Sequence, residues 1–208
     1  MKLRQFISNV INEVLNESVN TYGKLIKLAK SYDYDTFLSK TDGLSRDYDM
    51  LYRGMATGDV LEDGVFMTDY IGHARQYADG DNIDGIIINY SDVLKFTDDV
   101  FNDLRAKLTK LDIKKIYTGN RWVGGRSEMS FVYKFIQSKI PYTKIQQDFE
   151  KNNLLIPVML YYAKMMGKNI IKFLGSDYSE YGGADEFVVN DISRYTKLSD
   201  IWKKANSK

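Results

Sequence analysis

The chain contains no cysteine, which excludes disulfides, thiolate nucleophiles and Cys-ligated zinc and suits a reducing compartment. A single histidine, His73, argues against His-rich metal sites and against a Ser-His-Asp triad. An excess of one charge is also missing. The 29 Lys and Arg residues nearly balance 28 Asp and Glu, a net charge of +1, so bulk electrostatics singles out neither nucleic acid nor an anionic membrane as the main partner. Local basic patches remain open. No stretch approaches the roughly 18 apolar residues of a membrane span, and the first residues lack the unbroken apolar run of a signal peptide. The expectation is a soluble, cytoplasmic protein with no membrane partner and no metal.

What is present is an ordinary globular balance in 208 residues, enough for one well-buried core or for one domain with a helical appendage. Leu3, Phe6, Ile7, Val10, Ile11, Val14 and Leu15 form a helical stripe whose side chains each gain roughly 1.5–3 kcal/mol on burial. That stripe must cover the chain's own core or dock on another protein. Helices are expected at Leu25–Tyr32 and around Asp35–Leu38, completing a helical N-terminal extension over 1–46. From 47 onward short apolar runs separated by Gly, Asp and Asn predict strands at Met50–Arg53, Val65–Thr68 and Asp84–Asn89, with a helix at Ile71–Ala78. A helical block follows, at Asp98–Leu111, Ser127–Ser138, Tyr142–Phe149 and Leu154–Met166. Strands return at Asn169–Leu174 and Glu186–Val189, and a helix closes near Leu198–Lys204. Strands at both ends with helices inserted between them predict an α+β domain over 47–208 in which the first and last strands meet.

Three strand segments carry polar residues suited to chemistry. In Leu51-Tyr52-Arg53-Gly54 a guanidinium ends an apolar strand, where its paired donors can bind phosphate or order a ribose; an Arg paired with a nearby Asp at a turn satisfies the same letters. In Gly64-Val65-Phe66-Met67-Thr68-Asp69, followed by Tyr70, His73, Ala74, Tyr77 and Ala78, a hydroxyl leads into a helix, which also reads as a strand, a helix cap and an amphipathic helix. In Gly182-Gly183-Ala184-Asp185-Glu186-Phe187-Val188-Val189 a glycine-rich loop delivers a carboxylate to the start of an apolar strand.

In this order the three segments resemble the Arg, Ser/Thr, Glu signature of the ADP-ribosyltransferase superfamily, and Ile86 to Phe96 is similar to the strand and turn that follow the second segment in phage polyvalent-protein members. The resemblance covers roughly 48–97 and 168–199. It implies a split β-sheet core with inserted helices and an NAD-dependent transferase, phage-encoded, that releases nicotinamide and modifies a host protein or nucleic acid in the host cytoplasm. NAD is the implied co-substrate, bound between the first strand and the last. Arg53, Thr68 and Glu186 are the implied catalytic residues. Arg53 and Gly54 would hold the cofactor, with the Gly54 backbone meeting the nicotinamide amide. Thr68 would hydrogen-bond the catalytic Glu or the ribose, and Tyr70 or Tyr77 would stack on the nicotinamide ring. Arginine-modifying members carry an acidic or amide residue two positions before the Glu. Here that position is Ala184, and Asp185 cannot replace it because adjacent strand residues face opposite ways. Two alternatives stay open: an NAD glycohydrolase using the same site, and a non-catalytic phage or virion interaction protein on the same fold, docked through the N-terminal helix.

Other features read as structure. The turn Tyr117 to Ser130 could bind a phosphate, yet it lacks the spacing and Lys of a P-loop. It offers Glu128 as a reserve carboxylate, with Arg121, Trp122 and Arg126 near it. His73 is expected to be structural, and the basic residues from Arg105 to Lys115 to form a solvated face.

Overall fold

The computed structural model describes residues 22–42, 44, 49–59, 61, 64–118, 126–145, 149–173 and 185–207. The N-terminal stripe, the glycine pair before Asp185, and Arg121 and Trp122 lie outside them, as do the side chains of Arg126 and Glu128. Helices α1 (22–31) and α2 (Tyr34–Asp42) precede β1 (Met50–Gly54), β2 (Val65–Thr68), α3 (Ile71–Arg75), β3 (Ile83–Ile87) and β4 (Val93–Lys95). A helical block follows, with α4 (Asp98–Lys107), α5 (Lys110–Thr118), α6 (Arg126–Ile136), α7 (Tyr142–Ile145) and α8 (Phe149–Met165). The chain closes with β5 (Ile170–Phe173), β6 (Glu186–Val189), β7 (Thr196–Lys197) and α9 (Leu198–Asn206).

The strands form one mixed sheet in the order β4-β5-β6-β2-β1-β3-β7. Only β4 and β5 pair in parallel, and a parallel pair needs a long crossover. The helical block from α4 to α8 is that crossover, which explains why it interrupts the strands. The fold is α+β, as the sequence predicts. The expectation that the first and last strands meet is corrected. The last strand read from the sequence, β6, pairs with β2, and β1 lies one position further on. β2 takes the central place because both of its faces are apolar or buried: Val65 and Met67 cover one side of the sheet, Phe66 and Thr68 the other.

Three apolar clusters hold the layers. Met50 and Tyr52 pack under α1, α2, α3 and α9 through Leu25, Phe37, Leu38, Ala74 and Ile201. On the same sheet face, Phe66, Val188 and Ile171 pack under the helical block, against Phe96, Phe101, Val158 and Tyr162. The opposite face is covered by Leu51, Met67, Ile86, Phe187 and Val189 with Met55, Leu61 and Ile192. The first face therefore carries two separate helical layers, one over β1 and β3 and one over β2, β6 and β5. The described part of the N-terminal extension shares its core with β1 and α9.

The predicted helix Asp98–Leu111 is two helices. Leu108 leaves helical geometry at φ −90° and ψ 130°. Thr109 and Asp112 then exchange hydrogen bonds, Asp112 N–H to Thr109 Oγ1 at 3.2 Å and Thr109 N–H to Asp112 Oδ2 at 2.9 Å, which caps α5.

Asp84 joins the first helical layer to the sheet. Its Oδ1 accepts hydrogen bonds from Tyr34 Oη at 2.7 Å and Ser199 N–H at 3.1 Å, and its Oδ2 from Ser199 Oγ at 2.6 Å. Because Asp84 is buried, Asp84→Asn leaves an amide facing donors. It is expected to lower stability by about 1–3 kcal/mol, read as an earlier denaturation midpoint at unchanged slope.

Candidate active site

The site forms where β1 and β2 part. β1 pairs with β3 at five positions, from Met50↔Ile87 to Gly54↔Ile83. β2 pairs with β6 at four, from Val65↔Val189 to Thr68↔Glu186. Between β1 and β2 only Tyr52↔Thr68 is in register. Continuing that ladder would set Gly54 opposite Phe66. Instead the Arg53 guanidinium crosses the gap and donates from Nη1 to the Phe66 carbonyl at 2.8 Å. Met55 directs its N–H to Asn82 and its carbonyl to the N–H of Asp79, on the β3 side. By strand alternation the N–H and C=O of Gly54 point the other way, across the seam.

A cleft of about 440 Å³ lies over this seam, walled on one side by α3 and the turn after it. That volume falls in the usual range for small-molecule sites. Arg53, Gly54, Thr68, Tyr77 and Glu186 all line it, together with Phe66, His73 and Asp59. The register brings Thr68 and Glu186 together: Tyr52, Thr68 and Glu186 are directly opposite one another across three strands, so their side chains share a face. Tyr70 is not among the lining residues. Its ring folds back over Gly72. Of the two tyrosines expected at the nicotinamide ring, Tyr77 lines the cleft; it is 67% exposed and meets His73 edge-on with ring centroids 5.3 Å apart.

Thr68 does two things. Its Oγ1 accepts the N–H of Tyr70 at 3.3 Å, a turn just before α3. That leaves its own hydrogen to donate. The N-cap position is Tyr70, which makes no side-chain cap bond, so the Thr-Asp helix cap read from the sequence does not form. Asp42 Oδ1 accepts the N–H of Ile71, the first residue of α3, at 3.3 Å. The predicted helix to Ala78 ends as α3 at Arg75 and continues in turns, with Tyr77 N–H on the Ala74 carbonyl and Ala78 N–H on that of Arg75. This tighter winding is where the backbone reaches Gly54. A Cβ on Gly54 would lie 2.0 Å from the Ala74 carbonyl oxygen. The absence of a side chain at 54 therefore serves α3 packing as well as any ligand.

The electrostatics are local. Burial raises the Glu186 carboxyl above its ordinary value, and His73 opposes that shift. His73 Nε2 lies 4.0 Å from Glu186 Oε1, with the two side chains 13% and 36% exposed. Burial lowers the Arg53 guanidinium, opposed by Asp59; arginine stays charged regardless. Glu186 is held from behind. Asp185 donates its N–H to Asp69 Oδ1 at 3.1 Å and pairs with Lys172, which also donates to Tyr90 Oη at 3.0 Å. Asp185 thus turns away from the cleft, as alternation requires, and fixes the backbone at the residue before Glu186. Burial, and then the neighbouring Asp185, push the Asp69 carboxyl up.

Sequence reasoning assigned His73 a structural role, and the fold sets it beside Glu186. The available signal was spacing: His73 falls five residues after Thr68, on the helix that the strand end feeds over the cleft. Among the described residues no group of His, Asp and Glu is arranged to hold a metal, and no helix is long and apolar enough to cross a membrane. No protein-family model, curated protein or solved structure matches this chain.

Proposed function

We propose that this chain is an NAD-dependent ADP-ribosyltransferase on the split-sheet fold of that superfamily, with a host macromolecule as acceptor. The observation that carries the reading is the convergence of Arg53, Thr68 and Glu186 on one cleft at the point where the sheet opens. Each residue has a task that its position suits. Cleaving the nicotinamide–ribose bond turns the sugar into an oxocarbenium ion, and a carboxylate fixed at the start of β6 meets that charge without having to reorganise. Gly54 turns main-chain donor and acceptor groups toward the seam, the pair that a carboxamide such as that of nicotinamide requires. Tyr77 offers a ring face beside them. Arg53 spends one nitrogen on Phe66 and keeps further donors for the pyrophosphate or ribose. Thr68 retains a hydroxyl hydrogen for the carboxylate or the ribose.

The test is nicotinamide release from NAD by the purified chain, repeated with a host-cell lysate and NAD labelled in the adenylate part. Release with a labelled protein or nucleic acid is the expected result. Release giving only free ADP-ribose would make the chain a glycohydrolase. Neither release nor NAD binding, with or without lysate, would overturn the enzyme reading in favour of an interaction module.

A further inference from the structure

We propose that His73 is the base that takes the proton from the acceptor, and that the acceptor attacks through a neutral O–H group rather than a guanidinium. This rests on the ADP-ribosyl reading above and names the acceptor chemistry of that same site. His73 Nε2 and Glu186 Oε1 are 4.0 Å apart, beyond hydrogen-bond length, but an oxygen seated beside the pair reaches both at about 2.8 Å. Among the described residues Nδ1 is buried with no hydrogen-bond partner, so none of them fixes the tautomer or holds Nε2 in a donor role. The ring itself is kept in place by its edge-on contact with Tyr77 and by the position of α3 over the seam.

Among the described residues the other ionisable groups that line the cleft are Tyr52, whose hydroxyl donates to Thr41 Oγ1 at 3.1 Å, with Arg53, Asp59, Tyr77 and Glu186. From β6, Glu186 faces the sugar cation. From β1, Arg53 carries a positive charge, and Asp59 beyond it interacts with that charge. Tyr77, on the turn after α3, is exposed. Among the described lining residues His73 is the group placed beside Glu186 to act as base.

The step balances simply. The bond from ribose C1′ to the nicotinamide nitrogen breaks, its electron pair leaves with nicotinamide, the acceptor oxygen bonds to C1′, and the acceptor proton passes to Nε2. An oxygen becomes strongly acidic as that bond forms, so an imidazole suffices as base. A guanidinium has no free lone pair to attack with until it loses a proton, so it gains less from an imidazole base than an O–H group does.

The experiment uses NAD with water alone, with methanol and with agmatine as acceptors, for the full chain and His73→Gln. The wild type is expected to form ADP-ribose and its methyl glycoside but no agmatine adduct. His73→Gln is expected to bind NAD within about 2-fold of the wild type and to release nicotinamide about 100-fold more slowly. Added imidazole should restore part of the rate. A His73→Gln rate within 3-fold of the wild type, or a slowed rate that imidazole does not restore, would overturn the proposal while leaving the ADP-ribosyl reading intact, as would preferential modification of agmatine. Absence of nicotinamide release by the wild type would instead remove the parent reading.

Discussion

Glu186→Gln is expected to slow nicotinamide release by at least about 100-fold, the scale on which a preorganised charged group at the reacting centre acts, while NAD affinity changes little. The substitution keeps the shape and one carbonyl oxygen and removes the charge, so any loss belongs to the cationic transition state. Folding should respond in the opposite direction. Burial raises the folded-state pKa of Glu186 above the ordinary 4.5. For such a carboxyl the stabilising contribution is present at low pH and is lost as pH rises through the folded value. At neutral pH the wild type therefore holds an ion that its surroundings disfavour, and the variant should melt no lower than the wild type, with any advantage vanishing below pH 4. A variant that is both inactive and markedly less stable would mean that Glu186 serves the sheet, and the catalytic assignment would fail. The same sign governs activity. Release by the wild type should fall as pH drops through a value above 4.5, because protonation removes the charge the sugar cation needs.

The site was legible in the sequence to the extent that strands were. Val65–Thr68 and Glu186–Val189 have the predicted limits, and β1 extends only one residue further. Their polar members were recognisable because each stands alone beside apolar neighbours. What could not be read was pairing. Nothing in either segment says that Thr68 lies opposite both Tyr52 and Glu186, since register is settled by which faces find cover, and that cover comes from distant helices. β4 and β7, only three and two residues long, are too short for any period to show. The break at Leu108 was legible in principle, because Thr109 and Asp112 have the spacing of a capping pair; the continuous run of helix formers obscured it. His73 and Tyr70 illustrate the limit for side chains. Tyr70 precedes α3 and His73 lies in its middle, yet His73 enters the cleft and Tyr70 folds over Gly72, and that choice depends on where α3 meets β1.

That meeting point is expected to be the least tolerant position in the fold. Gly54→Ala places a Cβ 2.0 Å from the Ala74 carbonyl oxygen, 2.7 Å from the Ala78 nitrogen and 2.9 Å from the Tyr77 carbonyl carbon. All three are main-chain atoms, so no rotamer change relieves the clash. β1 cannot retreat without disturbing its five-position ladder to β3. The turns after α3 are tied to the same strand, because Asp79 donates its N–H to the Met55 carbonyl at 3.0 Å. Ordinary overpacking of a core costs about 1–3 kcal/mol, and a clash between two anchored backbones should reach the top of that range or exceed it. The effect should appear as a denaturation midpoint lowered by at least about 3 kcal/mol at unchanged slope. Any folded fraction should bind NAD poorly, since α3 carries His73 and leads to Tyr77. Gly23→Ala is the matching control. It lies in α1, where an added Cβ meets none of the described residues within 4 Å, and helix propensity favours alanine by up to about 1 kcal/mol. Equal tolerance at 54 and 23 would show that α3 does not approach β1 this closely, and the cleft would then need to be rebuilt without Gly54 as its floor.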